Sequence, residues 1–330
     1  MIRRRDLAVG LLLATVMPLA RAQERTKQHR IAVIAAGPVD RIHDPGVRPF
    51  RAFFEELRRL GDVEGQNLVV DSYSGGGRPE VYADLARKLV SSKPEVIVAS
   101  TDPIARAVRA ATGTIPIVWI GGDPIQAGFA TSLARPGGNI TGVTVYAGTE
   151  ICGKRLQILK EAAPRASKAA YLTTRISQAP EGQQLREAGR QLQMSVIELP
   201  LEEVSATAIE RAFAEIGQQQ SDAIIVNSIG ILLPHRQLIV ELAEKSRLPA
   251  IYPWRDYVEA GGLMAYASDD RELWRRIAED VHEVLNGGKP GDIPIYQPTK
   301  FEFLINLEAA KQLGLTIPPS LLARADEVIE

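Results

Sequence analysis

The sequence predicts an α/β fold made of two similar halves, each built on a parallel sheet. Apolar runs of about five residues alternate with amphipathic segments of about a dozen residues, which is typical of parallel strands joined by helices. The alternation begins again near the middle of the chain. With 330 residues, of which 45% are hydrophobic and 24% charged, the chain is long enough to bury two cores.

The first element is a predicted signal peptide at residues 1–22. Three arginines, Arg3 to Arg5, precede the apolar run LAVGLLLATVM, and the small-residue site Ala20-Arg21-Ala22 follows it. This order predicts export and cleavage after Ala22. The arginines fit an ordinary basic leader better than a twin-arginine signal, although both remain open. No cysteine stands at the cleavage site, so we expect a periplasmic protein without a lipid anchor.

Charge and cysteine content exclude several classes of function. The predicted leader carries four arginines and one aspartate, so its removal takes the net charge from -1 to about -4. A chain of that charge has no basic field for nucleic acid. The one cysteine, Cys152, is predicted to be a small buried residue on a helix. The four histidines are scattered, so we predict no metal site and no cofactor.

The mature chain then gives two series of strands and helices. The first series contains the apolar runs RIAVIAA, NLVVDSYS, EVIVAS, IPIVWIG and GVTVYA, separated by amphipathic segments and by a short helix expected near Gln126 to Leu133. The second series contains SKAAYLTT, SVIELPL, DAIIVNS, PAIYPW and GGLMAYA. A long helix, DRELWRRIAEDVHEVLNGG, follows. The segment KPGDIPIYQPTKFEFLINL is then predicted to be a linker, and a short helix and a tail close the chain.

The two series resemble each other weakly. Pro116 in IPIVW and Pro249 in LPAIY are 133 positions apart, and Ile97 in EVIVA and Ile224 in DAIIV are 127 apart. These similar offsets favour two halves of one architecture, joined near residues 146–148. Chance similarity between short apolar runs remains the alternative.

The loops after the first-half strands are candidate ligand contacts. Ligands of doubly wound sheets sit at the carboxyl ends of the strands, where helix N-termini point into the crevice. Ser100-Thr101-Asp102-Pro103 and Gly121-Gly122-Asp123-Pro124 both place an aspartate where a helix N-cap is expected. For Asp102 we favour capping alone. For Asp123 capping and ligand contact remain open, because Gly121 and Gly122 leave the backbone bare there.

Aromatic residues are scarce, at 5% of the chain, yet four of them lie at or just after predicted strands. A ring at such a place can enclose an apolar ligand, although each ring alone fits packing somewhat better. Together they predict at least one ligand contact among Trp119, Tyr146, Tyr252 and Trp254.

Motifs for catalysis are incomplete. GTEICGKR (148–155) approaches the nucleotide phosphate loop, but Arg155 stands where a Ser or Thr would bind magnesium, so we interpret it as a helix start. The sequence also lacks the GxSxG nucleophile elbow. These observations favour binding over catalysis.

Several long blocks of the sequence resemble one family. They include FRAFFEELRRLGDVEGQNLVVD, DPIQAGFATSLARPGGNITGVT, LPAIYPWRDYVEAGGLMAYASD and QPTKFEFLINLEAAKQLGLTIPPSLLARADEVIE. The chain is similar to the periplasmic solute-binding components of ABC importers, in the branch of the tryptophan/tyrosine-type binding proteins. The similarity covers nearly the whole chain.

The resemblance implies a type I periplasmic-binding fold: two Rossmann-like lobes, three crossing segments that form a hinge, and a ligand cleft between the lobes. Lobe 1 would comprise residues 30–146 plus about 269–296, and lobe 2 residues 147–268. Residues 297–330 would form a crossing segment and a C-terminal strand and helix. Members of this family usually have SDPV where this chain has Gly122-Asp123-Pro124-Ile125, and often NP where it has TTRIS (173–177).

The resemblance also implies a function. A monomeric binding protein would deliver a small organic solute, preferably an aromatic amino acid or a related carboxylate, to the membrane permease of an ABC importer. Alternatives are a sensor subunit of the same fold and a secreted α/β enzyme using Asp123 and Asp269. If Asp123 binds the amine of the solute, Asp123→Ala should weaken binding by about 2 to 5 kcal/mol. The expected ligand contacts are Ser100, Thr101, Trp119, Gly122, Asp123, Tyr146, Thr173, Ser228, Tyr252 and Trp254.

Overall fold

The computed structural model describes residues 28–76, 78–148, 150–175 and 178–330. The predicted signal peptide therefore lies outside the described residues. Within those ranges, no helix combines the length and the apolar character that crossing a membrane would require.

The first sheet is wholly parallel, with the strand order β2-β1-β3-β4-β5. We call this sheet and the helices packed on it lobe 1. Its strands are His29–Ala35 (β1), Leu68–Ser74 (β2), Val96–Ala99 (β3), Ile117–Gly121 (β4) and Ile140–Thr144 (β5). The helices between them are Arg48–Leu60 (α1), Tyr82–Ser91 (α2) and Asp102–Ala111 (α3). Strands β3, β4 and β5 are buried almost throughout, as expected for a sheet covered by helices on both faces.

The second sheet has seven strands in the order β12-β11-β10-β9-β8-β6-β7, and we call it and its helices lobe 2. Its strands are Lys168–Thr174 (β6), Ser195–Leu201 (β7), Ala223–Val226 (β8), Ala250–Tyr252 (β9), Met264–Ser268 (β10), Phe301–Asn306 (β11) and Glu327–Ile329 (β12). The helices are Glu150–Ala162 (α4), Gln178–Gln191 (α5), Ala206–Gln218 (α6), Arg236–Lys245 (α7), Arg255–Glu259 (α8), Asp270–Leu285 (α9), Leu307–Gln312 (α10) and Pro319–Leu322 (α11). Of these, α9 packs on lobe 1.

The strand order confirms the prediction that the halves share one architecture. Strands β7-β6-β8-β9-β10 repeat, in chain order, the 2-1-3-4-5 arrangement of β2-β1-β3-β4-β5. The two pairs of runs that resemble each other in sequence occupy equivalent places, since EVIVA and DAIIV form β3 and β8, and IPIVW and LPAIY form β4 and β9. Lobe 2 adds β11, which is antiparallel to β10, and β12 at its edge.

Three segments cross between the sheets. The chain leaves lobe 1 after β5, returns at Asp269 to begin α9, and crosses again between Tyr296 and Phe301. Helix α9 packs against α1 and against β3, β4 and β5, and therefore belongs to lobe 1 although it follows the lobe 2 strands. Backbone and side-chain hydrogen bonds tie the crossings together: Asp269 N donates to Lys300 O, and Gln297 Nε2 to Tyr146 O.

The short helix predicted near Gln126 to Leu133 is absent. Residues 124–128 form a turn that ends at Gly128, whose φ of +70° belongs to the left-handed region that glycine tolerates. The turn ends there because the next residue, Phe129, enters the core, where its ring packs edge-on against Trp119. Tertiary packing thus overrides the local preference for a helix.

The segment predicted to be a linker is only partly one. Its last residues form β11, which is buried from Glu302 to Asn306. Both faces of this strand are covered, so apolar and polar residues do not alternate clearly along it. The sequence therefore gives only a weak signal for a strand there. The predicted tail also contains a strand, β12, which pairs in parallel with β11.

Candidate functional site

The carboxyl edges of the two sheets meet at the crossing segments. Both β5 and β10 lead from their C-terminal ends into a crossing, and all neighbouring strands of lobe 1 are parallel to β5. The loops at these edges therefore face the junction of the lobes. One side-chain contact between the lobes is Arg48 Nη1 on α1, 3.7 Å from Glu259 Oε1 on α8. We call this region the cleft.

Lobe 1 uses Asp102 to fasten two of its own loops. Thr101, not Asp102, is the N-cap of α3, and the Asp102 side chain does not cap that helix. Its Oδ1 accepts hydrogen bonds from Trp119 Nε1 at 2.9 Å and from Gly122 N at 3.1 Å. Burial raises the pKa of the Asp102 carboxyl, although the bonds from Gly122 and Trp119 oppose this. The predicted capping role of Asp102 is therefore wrong.

The glycine at position 121 serves the same arrangement. A Cβ on Gly121 would collide with the Asp102 carboxylate and with the Trp119 indole nitrogen. The bare backbone that suggested close approach of a ligand is thus already required by a contact within lobe 1. Gly122 has more room, since a Cβ there would lie 3.1 Å from Asp102 Oδ2.

The remaining polar residues predicted at the lobe 1 edge either bond groups of lobe 1 or have no partner among the described residues. Asp123 Oδ1 accepts from Ile125 N at 2.8 Å and from Gln126 N at 3.1 Å, which is the bonding of a capping aspartate. Ser100 Oγ accepts from Ala36 N at 3.3 Å. Thr101 Oγ1 is buried and has no hydrogen-bond partner among the described residues.

Tyr146 lies where the two edges meet. Its backbone belongs to the first crossing segment, and its carbonyl accepts from Gln297 of the third. Burial, with smaller contributions from the charges of Glu181 in lobe 2 and Asp123 in lobe 1, raises the pKa of the Tyr146 phenol to about 12. Tyr146 therefore lies on a segment that joins the two lobes.

The lobe 2 edge contains a buried polar cluster that sequence reasoning missed. Glu181, in the first turn of α5, accepts at Oε2 from the Tyr171 hydroxyl and from Asn227 Nδ2. Asn227 Nδ2 also donates to the Tyr171 hydroxyl oxygen, and all three residues are at least 93% buried. Burial raises the pKa of the Glu181 carboxyl, against smaller lowering by Tyr171 and Arg155.

Arg155 is the second charge of this edge and is 3% exposed. It projects from α4, donating from Nε to Tyr266 O at 2.9 Å and from Nη1 to Ser228 Oγ at 2.8 Å. These bonds span β9, because Ser228 follows β8 and Tyr266 lies in β10. Burial lowers the pKa of the Arg155 guanidinium, and no ion pair of the described residues includes it. A buried cation is thus held by neutral groups alone.

Of the four ligand contacts predicted in lobe 2, Ser228 and Trp254 are half-buried, and Thr173 and Tyr252 are fully buried. Ser228 binds Arg155, and Trp254 is half-buried with an indole nitrogen that has no partner among the described residues. Thr173 is buried at the end of β6, where its hydroxyl donates to Thr174 O at 3.4 Å. Tyr252 is 1% exposed and stacks on Tyr257 inside the lobe 2 core.

Trp119 and Tyr252 therefore differ from the expectation that strand-end aromatics line the cleft. They occupy equivalent positions of β4 and β9, three residues after Pro116 and Pro249, and both rings are sealed in their lobe cores. A side chain on a central strand is covered by the helices of its own lobe. Being near the end of a strand does not expose it.

The sequence contains a signal for Arg155 but none that distinguishes Glu181. Arg155 falls in the buried stripe of α4, among Cys152, Leu156 and Leu159, where an arginine is rarely placed without a reason. Glu181 lies in the first turn of α5, where a carboxylate also matches the helix dipole, so its inward direction could be learned only from the fold.

The arrangement suits binding. Asp123 and Asp269, the carboxylates considered for acid and base roles, each accept hydrogen bonds from the backbone of their own loop. Cys152 is buried on α4, as predicted, and burial raises its thiol pKa to about 12, so it is not a nucleophile at neutral pH. The polar groups at the edges are hydrogen-bond donors and acceptors that belong to both lobes.

Known proteins share this architecture. A tyrosine-binding protein of Clostridioides difficile (strain R20291) is 26% identical over 268 residues, which cover 80% of this chain and 76% of that one. The structure of an ABC domain in complex with L-Trp from Streptococcus pneumonia is 22% identical, with a TM-score of 0.81 over 92% of this chain and all of that chain. A conserved domain protein from Vibrio cholerae gives the same TM-score and coverage at 24% identity.

These structures confirm the predicted type I periplasmic-binding fold. The model of the family described as ABC transporter substrate binding protein matches residues 41–329, nearly the whole described chain. Proteins of this kind work outside the cytoplasm, bind small molecules and serve a membrane permease. The chain belongs to the family of ABC transporter substrate-binding proteins.

Proposed function

We propose that this protein is a monomeric periplasmic binding protein that delivers an aromatic amino acid, or a related carboxylate, to an ABC import permease. The observation that carries the proposal is the pair of sheet edges that meet at the crossing segments, with polar side chains on both. Closure of the lobes on a solute would complete these contacts and exclude water.

The ligand class rests on chemistry and on relatives. Thr101 Oγ1, Thr174 Oγ1 and Trp254 Nε1 are buried polar atoms without a partner among the described residues, and all three belong to the carboxyl ends of strands or the loops that follow. Such atoms cost free energy unless a ligand or water satisfies them. The relatives named above bind tyrosine or contain L-Trp. The rings of Tyr146 and Trp254 are half-buried and can pack on an aromatic side chain.

The proposed contacts are those that remain at the cleft. In lobe 1 they are Ser100, Thr101, Gly122 and Asp123, and Tyr146 belongs to the first crossing. In lobe 2 they are Thr173, Ser228 and Trp254. Trp119 and Tyr252 are left out because their rings are sealed in the cores.

Calorimetric titration of the mature chain with L-tryptophan, L-tyrosine and L-phenylalanine tests the proposal, with L-alanine as the control for side-chain recognition. We expect saturable one-to-one binding of at least one aromatic amino acid and none of alanine. Mass spectrometry of any solute released on denaturing the protein identifies a retained ligand. A released solute that is neither an amino acid nor a carboxylate would contradict the proposed class, and chemical conversion of the solute would contradict the role in transport.

A further inference from the structure

Lobe 2 holds two buried opposite charges that do not form an ion pair with each other. Arg155 bonds two neutral groups, Tyr266 O and Ser228 Oγ, so three of its five N–H groups have no partner among the described residues. Glu181 accepts both of its hydrogen bonds at Oε2, and Oε1 has no partner in the described part of the chain. Each charge thus keeps bonding capacity that the protein leaves unused.

The two charges bond residues that are neighbours in the chain. Glu181 bonds Asn227, and Arg155 bonds the next residue, Ser228, at the tip of β8. The carboxylate and ammonium groups of an α-amino acid are likewise attached to one carbon. The charges also influence each other, because Arg155 lowers the pKa of Glu181.

Leaving opposite charges buried and unpaired is unfavourable for an isolated lobe. Direct pairing would satisfy both, and buried unpaired charges are rare for that reason. The Tyr171 hydroxyl and the Asn227 amide hold Glu181, while Tyr266 O and Ser228 hold Arg155. These neutral groups fix the charges apart, as a site for a ligand that carries both signs requires.

We propose that Arg155 binds the carboxylate of an α-amino acid and that Glu181 binds its ammonium group, so that lobe 2 selects zwitterions. This assignment rests on the proposed function and names the chemistry of its site. It also replaces Asp123 as the partner of the amine, since Asp123 Oδ1 already accepts from two backbone amides.

The test compares ligands that differ by one charge. L-Tryptophan, tryptamine, which lacks the carboxylate, and 3-indolepropionic acid, which lacks the ammonium group, are titrated into the mature protein by calorimetry. L-Tyrosine with tyramine and 3-(4-hydroxyphenyl)propionic acid forms a second set. We expect wild-type protein to prefer each amino acid over both of its analogues by about 100-fold or more, as for sites whose buried polar groups lose a partner.

Variants assign each charge to its residue. Arg155→Met should weaken L-tryptophan at least about 100-fold while tryptamine changes less than about threefold, and Glu181→Gln should do the same with 3-indolepropionic acid as the unaffected ligand. Arg186→Met, on the exposed side of α5, is the matched control and should change none of the three affinities. Circular dichroism and thermal melts verify the fold, and Arg155→Lys, which keeps the charge, covers the case in which Arg155→Met does not fold.

The outcomes separate the two proposals. Equal affinity of wild-type protein for an amino acid and its one-charge analogues overturns the zwitterion site but leaves solute binding intact. Equal weakening of all three ligands by Arg155→Met, or loss of ammonium discrimination in Asp123→Ala rather than Glu181→Gln, also overturns it. Failure of every aromatic ligand, with binding of another amino acid, overturns the aromatic class only, and the analogues of that amino acid then test the site. If no amino acid binds, both proposals fail.

Discussion

Helices α4 and α9 share seven buried positions with the same relative spacing along the helix, although they pack on different lobes. In α4 the buried stripe consists of Ile151, Cys152, Arg155, Leu156, Ile158, Leu159 and Ala162. In α9 the corresponding positions are Leu273, Trp274, Ile277, Ala278, Asp280, Val281 and Val284, and Leu285 is buried in addition. Cys152 aside, each stripe contains one ionisable residue, and the two occupy different positions: Arg155 corresponds to Ile277, and Asp280 to Ile158.

The position of the charge determines what it contacts. Arg155 lies early in α4, near the carboxyl edge of its sheet, where loop and strand groups accept its hydrogen bonds. Asp280 lies almost one helical turn further along its stripe, and its carboxylate accepts no hydrogen bond among the described residues. Arg276 Nη2 is 3.1 Å from Asp280 Oδ1, but the alignment is not that of a hydrogen bond. Similar helices thus place a buried ionisable side chain where strand and loop groups bond it, as for Arg155, or where no described residue donates a hydrogen bond to it, as for Asp280.

The largest expected effect is at Asp280. Burial raises its pKa to about 8, with a smaller lowering by Arg276, whereas an unfolded aspartate titrates near about 3.9. The folded state therefore binds more protons between these values, and the contribution of Asp280 to stability is lost as the pH rises from about 4 to about 8. Asp280→Asn removes that dependence. Relative to wild type, the variant should gain about 4 kcal/mol between pH 5 and pH 8.5.

Urea unfolding at the two pH values measures this difference. Trp119 and Trp274 both belong to lobe 1, so tryptophan fluorescence reports mainly on the lobe that contains α9. Glu244→Gln, on an exposed part of α7, is the control and should leave the pH dependence unchanged. A parallel shift of wild type and Asp280→Asn with pH would show that Asp280 is ionised in the folded protein, and the contrast with Arg155 would then disappear.

The next effect concerns a buried arginine that lobe 2 pairs by itself. Arg255 is 8% exposed and donates to Glu302 from Nε at 3.1 Å and from Nη2 at 2.7 Å, and to Glu327 from Nη1 at 2.7 Å. Removing one partner of a buried pair leaves the other charge uncompensated. Arg255→Met should therefore lower the free energy of unfolding by about 3 kcal/mol, the lower end for such changes because Glu327 is half-exposed.

The comparison with Arg155 gives this variant a second readout. Arg255 donates its hydrogen bonds to carboxylates of its own lobe. Arg255→Met should therefore destabilise the folded protein without changing its preference for a zwitterion over the one-charge analogues. Denaturation and calorimetry on the same preparation measure both quantities. If Arg255→Met reduced the preference for the zwitterion while changing the free energy of unfolding little, the recognition role would belong to Arg255 and not to Arg155.

Sequence patterns predicted the repeated architecture well because apolar alternation and helix periodicity are local. The similar runs EVIVA and DAIIV, and IPIVW and LPAIY, form equivalent strands of the two sheets. The site was predicted less well because its bonds join residues far apart in the chain. Arg155 and Tyr266 are separated by 111 positions and Glu181 and Asn227 by 46, and no local signal carries those distances.

The smallest of these effects is at Asp102, the carboxylate that lobe 1 uses for itself. Asp102→Ala leaves Trp119 Nε1 and Gly122 N without their acceptor in a partly buried place, which should cost about 2 kcal/mol of stability. Because both donors belong to the protein, the ratio of affinities for L-tryptophan and 3-indolepropionic acid should stay within about threefold of wild type, in contrast to Glu181→Gln. Thermal unfolding and calorimetry on the two variants compare Asp102, whose carboxylate bonds two loops of lobe 1, with Glu181, which we propose binds the ammonium group. A changed ratio in Asp102→Ala without destabilisation would show that lobe 1 also reads the charge of the solute.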